Sequence, residues 1–129
     1  MKAVVIAVLH PRDNGGYECR VPDFPGCVSS GRDLEEAVSM IEDAANFWAC
    51  GIETDGRPQP TITPYQEVEH EDGDILQIVK VDTLAYSRQH DTRAVRKNVS
   101  LPAWMAYQVE QRGINCSQVL QDALKQVLA

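Results

Sequence analysis

From Arg93 the chain reads Arg-Ala-Val-Arg-Lys-Asn-Val-Ser-Leu-Pro, with the polar residues Arg96, Asn98 and Ser100 standing two apart. In an extended strand that spacing puts these three side chains on one face and Val95, Val99 and Leu101 on the other. A guanidinium offers paired donors to guanine O6 and N7. A carboxamide pairs donor and acceptor with adenine N6 and N7, and a hydroxyl does either. The chemistry is the reading of base edges, where each good bidentate contact gives roughly 1–3 kcal/mol of discrimination. A second polar group follows at Asn115, with Gln118 three residues on and Ser117 between them. An asparagine N-cap leaves first-turn amides pointing outward, where hydrogen bonds and the helix dipole can hold a phosphate. Capping its own helix is an equally good role for Asn115.

These groups need elements to hold them. Residues 103–112 and 116–128 are short amphipathic patterns, so the tail amounts to one strand and two helices. One strand cannot satisfy its own edges, and two short helices leave an apolar face open. Trp104, Met105, Tyr107, Val109, Val119, Leu120, Ala123, Leu124, Val127 and Leu128 are therefore expected to form a core shared with a second copy of the chain. Two such strands paired antiparallel make a ribbon narrow enough for a DNA major groove. The expected partners are a twin chain, through residues 94–129, and double-stranded DNA.

At 129 residues and 43% apolar, the chain suits one ordinary domain or two small ones with a modest core. No run of about 18 apolar residues is present, and Met1 to Leu9 is too short to span a membrane and precedes no small-residue cleavage site. A soluble cytoplasmic protein is expected. Its charge is split. Residues 1–85 carry 6 Lys/Arg against 16 Asp/Glu, a net of −10, whereas residues 86–129 carry 6 against 3, a net of +3. An acidic module suited to a basic partner thus precedes a mildly basic one suited to phosphate. Cys19, Cys27, Cys50 and Cys116 form no C-x-x-C pair and are expected to be buried free thiols. His10, His70 and His90 have no ligand spacing, and His70 among Glu67, Glu69, Glu71, Asp72 and Asp74 fits a solvated acidic loop. Neither a metal nor another cofactor is implied.

In the acidic module, residues 2–9 are a β-branched apolar run, the pattern of a central strand covered on both faces. Asp13-Asn14-Gly15-Gly16 is a turn, Tyr17 to Val21 alternates as a half-exposed partner, and Cys27 to Ser30 makes a short third strand after a proline-flanked corner. Asp33 and Glu36 form a capping box for a helix. Its face is Leu34, Ala37, Val38, Ile41, Ala44, Ala45 and Trp48, and Gly51 stands as its left-handed cap. Residues 53–74 read as a long loop, 75–81 as a returning strand, and 86–92 as a linker.

Gly15-Gly16-Tyr17, the corner Pro22-Asp23-Phe24-Pro25-Gly26-Cys27, and Gly31-x-Asp33-Leu34-Glu35-Glu36-Ala37 resemble the N-terminal domain of HicB antitoxins over about residues 1–85. The resemblance implies an α+β fold, with a β-β-β-α-β partial RNase H-like domain that binds a HicA-like mRNA-cleaving toxin. Asn98-Val99-Ser100-Leu101-Pro102 and Gly113-Ile114-Asn115-Cys116-Ser117 are similar to the ribbon-helix-helix domain that one branch of this family carries. That implies a DNA-binding and dimerising domain at 93–129, a dimer or a tetramer built from dimers, and repression of the protein's own operon. Lys97 departs from the family's apolar strand face, and Cys116 stands where an arginine is common. Toxin contacts are not legible. Asp23 and Phe24, read as exposed on the corner, are offered for that role beside a purely structural one.

A stand-alone ribbon-helix-helix repressor with a ligand-binding or oligomerising acidic domain is the alternative. A metal-dependent RNase H-like nuclease fits less well, because residues 2–9 hold no mid-strand carboxylate for a Mg²⁺ ion. The expectation is therefore no catalytic residue and no enzyme.

Overall fold

The computed structural model describes residues 1–129 as β1 (Lys2–Pro11), β2 (Tyr17–Arg20), β3 (Val28–Gly31), α1 (Leu34–Thr54), a 3-10 turn (Tyr65–Glu67), β4 (Ile75–Asp82), α2 (Thr83–Gln89), α3 (Ala103–Gln111) and α4 (Cys116–Leu128). The chain divides into two compact units, Met1–Thr92 and Arg93–Ala129. No helix is long and apolar enough to cross a membrane.

In the first unit the sheet order is β3-β2-β1-β4, every pair antiparallel. The β-branched run of β1 earns its central place by being covered twice. Val5, Ala7 and Leu9 pack with Ala37, Ile41, Ala45 and Ala49 of α1. Ile6 and Val8 face the other way and meet Val68 and Leu76. Val68 directly follows the 3-10 turn, so the stretch read as a featureless loop supplies the second cover. Burial on both faces explains why β1 reads as a continuous apolar run instead of an alternating one.

α1 starts as expected, with Asp33 Oδ1 accepting from the Glu36 amide at 2.8 Å. The reciprocal half of the box is replaced, because the Glu36 carboxylate pairs with Arg32 at 2.9 Å. The helix also runs past Gly51 to Thr54. Its left-handed closing residue is Gly56, φ +67°, with Arg57 N–H donating to Ile52 C=O at 2.9 Å and Gly56 N–H to Glu53 C=O at 3.1 Å. A glycine inside the last turns is tolerated when the capping bonds form one turn later.

Asn46 of α1 is buried and ties the helix to the outer edge of the sheet. Its Nδ2 donates to Lys80 C=O at 3.2 Å, and its Oδ1 accepts from the Asp82 amide at 2.9 Å. Two backbone groups of the edge strand β4 are thereby satisfied from within the chain. Asp82 also caps α2, accepting from the Ala85 amide at 3.1 Å. The expected linker at 86–92 therefore begins inside a helix. Cys50 Sγ lies 3.6 Å from Ser87 Oγ, which seats α2 on α1.

The second unit is α3 and α4 joined by a tight turn. Ile114 N–H donates to Val109 C=O at 3.0 Å across Gly113, whose φ of +64° permits the reversal. Residues 91–102 carry no regular secondary structure within one chain, where residues 94–101 were expected to be a strand. A strand is defined by its ladder bonds, and a single chain offers this segment no second strand.

Candidate functional site

Arg96, Asn98 and Ser100 are all exposed in the segment ahead of α3. Val95, Val99 and Leu101, between and beside them, are exposed as well. Asn115 and Ser117 lie at the start of α4. Asn115 Oδ1 accepts from the Gln118 amide at 3.1 Å, so the cap is made, and the Gln118 side chain turns to Asp122 at 2.9 Å. By helix geometry the amides of Cys116 and Ser117 have no acceptor within their own helix. Of the ten side chains assigned to a shared core, only Met105 and Val109 are half-buried, and the rest are exposed. Trp104 is 62% and Tyr107 64% exposed.

The corner in the first unit is structural. Phe24 is fully buried and stacks on Trp48, ring centroids 4.3 Å apart. This corrects its placement on the surface. The Trp48 indole donates to Pro25 C=O at 3.0 Å, so ring and corner hold each other. Asp23 is half-buried with both carboxylate oxygens engaged, one by the Thr63 amide at 2.8 Å and one by the Thr63 hydroxyl at 2.6 Å. It anchors the loop that crosses the sheet.

A polar cleft of about 740 Å³ opens on the sheet face away from α1, lined by His10, Arg12, Glu18, Arg20, Glu71 and Asp74 among others. His10 Nδ1 is 2.6 Å from Asp74 and 3.8 Å from Glu71, and Arg12 pairs with Glu18 at 2.8 Å. The hydrogen bond that His10 donates to Asp74, reinforced by the charges of Asp74 and Glu71, holds the His10 imidazole above its usual pKa. Asp74 is held below the usual carboxylate range, first by the Glu71 amide and then by His10. The acids of the cleft are thus engaged as ion-pair partners. Sequence reasoning missed this network, because the His10–Asp74 contact spans 64 positions. The one available hint was the acidic run itself, which lacked a visible counter-charge.

The thiols divide. Cys19 and Cys27 are buried, Cys50 is half-buried and Cys116 is exposed, so burial of all four does not hold. Burial pushes the Cys27 thiol up to about 11. It is an inert core group.

A four-stranded antiparallel sheet carrying one long helix, followed by a two-helix unit without a core of its own, defines a mixed α+β protein in two parts. The chain belongs to the HicB-like antitoxins of bacterial toxin-antitoxin systems, whose family pattern matches residues 5–123. A 14.9 kDa protein of the rep-hol intergenic region of Haemophilus phage HP1 is 30% identical over 102 residues, covering 76% of this chain and 73% of that one. Among solved structures, a toxin-antitoxin complex from Streptococcus pneumoniae matches with a TM-score of 0.60 at 19% identity, covering 98% of this chain and 99% of that one. The Burkholderia pseudomallei antitoxin HicB matches with a TM-score of 0.56 at 24% identity over the same shares. At such identities the structural likeness speaks for the fold.

Proposed function

We propose that this antitoxin neutralises a HicA-like mRNA-cleaving toxin by binding it directly, and represses its own operon through DNA binding by its C-terminal segment. Residues 1–85 form a partial RNase H-like toxin-binding domain, with α2 seated on it and residues 90–92 leading out, and 93–129 form one half of a ribbon-helix-helix dimer that can assemble further into a tetramer. The protein works in the cytoplasm by occlusion and is not an enzyme. Family membership and a relative solved in a toxin-antitoxin complex support the toxin partner.

One observation carries the DNA-binding half: residues 93–129 fully bury no side chain within one chain, while Arg96, Asn98 and Ser100 alternate with apolar Val95, Val99 and Leu101. A twin chain resolves both facts. The apolar set closes against its copy, and the paired strands present the polar set to base edges, with the Asn115–Ser117 helix start against phosphate.

The test is a gel-shift titration on the protein's own promoter. Arg96→Ala and Asn98→Ala should each lower specific affinity roughly 10- to 100-fold, the span of one bidentate base contact. Toxin binding should be unchanged in both. Unaltered operator affinity in the two variants rejects this readout set.

A further inference from the structure

α1 buries Ala37, Ile41, Ala45 and Ala49 against the sheet. At 100° per residue, Met40 and Phe47 lie two turns apart on the opposite ridge, with Asp43 between them. Phe47 is 70% exposed and Met40 46%. Neither contributes to the core of its own unit. The helix is also one-signed, since Glu35, Glu36, Glu42, Asp43 and Glu53 lie within its 21 residues and no lysine or arginine does. Glu36 is taken by Arg32 and Glu53 by the Met1 ammonium at 2.8 Å. Glu35 and Glu42 remain around the ridge without a basic partner on the helix, and Asp43, whose carboxylate accepts from the Tyr86 hydroxyl of α2, adds a third negative charge.

An aromatic ring and a methionine in the open, rimmed by carboxylates, have the composition of an interface centre with a charged rim. The sign of the rim selects the occupant. Phosphate backbones are repelled, and so is a second copy of the same acidic helix. We infer that the outward ridge of α1, Met40–Asp43–Phe47, is the docking surface for a cationic protein that offers an apolar pocket to Phe47. In the reading above that protein is the toxin, and the inference rests on that reading. A toxin that acts on RNA must itself present positive charge to phosphate. An acid-rimmed apolar ridge covers such a surface in the substrate's place.

Calorimetric titration of the full chain with the toxin encoded beside it tests this. Phe47→Ala should weaken binding about 10- to 100-fold, the range of an aromatic anchor, and Met40→Ala less. Asp43→Lys should also weaken binding, most strongly at low ionic strength. Thermal unfolding should stay at the parent value for Phe47→Ala and Met40→Ala, because both side chains are exposed. Parent affinity in Phe47→Ala overturns the inference and leaves the antitoxin reading standing, whereas no binding by the unaltered chain overturns both. A Phe47→Ala chain that binds toxin normally but loses an oligomeric state places a second copy on the ridge, and that also overturns the inference.

Discussion

Residues 1–92 and 93–129 face the same demand, to remove apolar surface from water, and meet it differently. The first unit does so alone: β1 is covered by α1 on one face and by Val68 and Leu76 on the other, and even the edge strand β4 has backbone groups capped by Asn46. The second leaves Trp104, Tyr107, Val119, Leu120, Leu124, Val127 and Leu128 in the open. Fully covering a Val, Leu or aromatic side chain stabilises by about 1.5–3 kcal/mol. Four such side chains would contribute roughly 6–12 kcal/mol, the whole net stability of a small domain. The stability of residues 1–92 is thus a property of one chain, whereas in the reading proposed above that of residues 93–129 would belong to an assembly.

The largest expected effect breaks the self-sufficient unit. Phe24→Ala removes a fully buried ring and its stack on Trp48, and should cost about 3–5 kcal/mol. The chain's 2 tryptophans make this readable, since Trp48 reports the first unit and Trp104 the second. In urea, the Trp48 transition should fall to lower denaturant and stay there at any protein concentration. Leu124→Ala should cost somewhat less, about 2–4 kcal/mol, if its side chain is covered by a twin. That loss should appear in the Trp104 transition, whose midpoint should move with protein concentration. A Trp104 midpoint indifferent to dilution would erase the contrast between the units.

What could be read in the sequence follows the range of the interactions. The central strand, the Asp33 cap and the Asn115 cap rest on spacings of a few residues, and the structure has all three. Gly51 misled because a helix C-terminus is decided by which carbonyls find donors, and Gly56 with Arg57 supplies them one turn later. Phe24 looked exposed between two prolines, yet its burial depends on Trp48, which approaches from a different element. α2 was hidden by polar composition. Its cap, Asp82, sits at the end of a strand and its seat is Cys50 of α1. Asn46 carried no local hint, as its role is set by the edge of β4, 34 and 36 positions away. The alternation of Arg96, Asn98 and Ser100 with Val95, Val99 and Leu101 was legible because it is local; base readout by the polar set is the proposal, and within one chain the structure has the segment exposed and without regular secondary structure.

The smallest expected effect sharpens the comparison through pH. His10 and Asp74 join β1 to the loop that crosses the sheet, and residues 93–129 contain no histidine. Folding raises His10 above its usual 6.5, so its contribution is complete below pH 6.5 and is lost as pH rises through the raised value. Folding lowers Asp74 below its usual 3.8, so its contribution is present above that pH and is lost as pH falls through the depressed value. The pair therefore supports the first unit most between the carboxylate range and the raised His10 midpoint. By NMR, the His10 ring should titrate above 6.5 in the intact chain and fall back toward it in Asp74→Asn. From neutral toward mildly alkaline pH, the Trp48 transition should weaken slightly in the parent and less in Asp74→Asn, with the Trp104 transition unaffected by that substitution. A His10 midpoint that ignores Asp74→Asn would detach the loop's hold on the sheet from this ion pair and leave Asp23 and Val68 as its anchors.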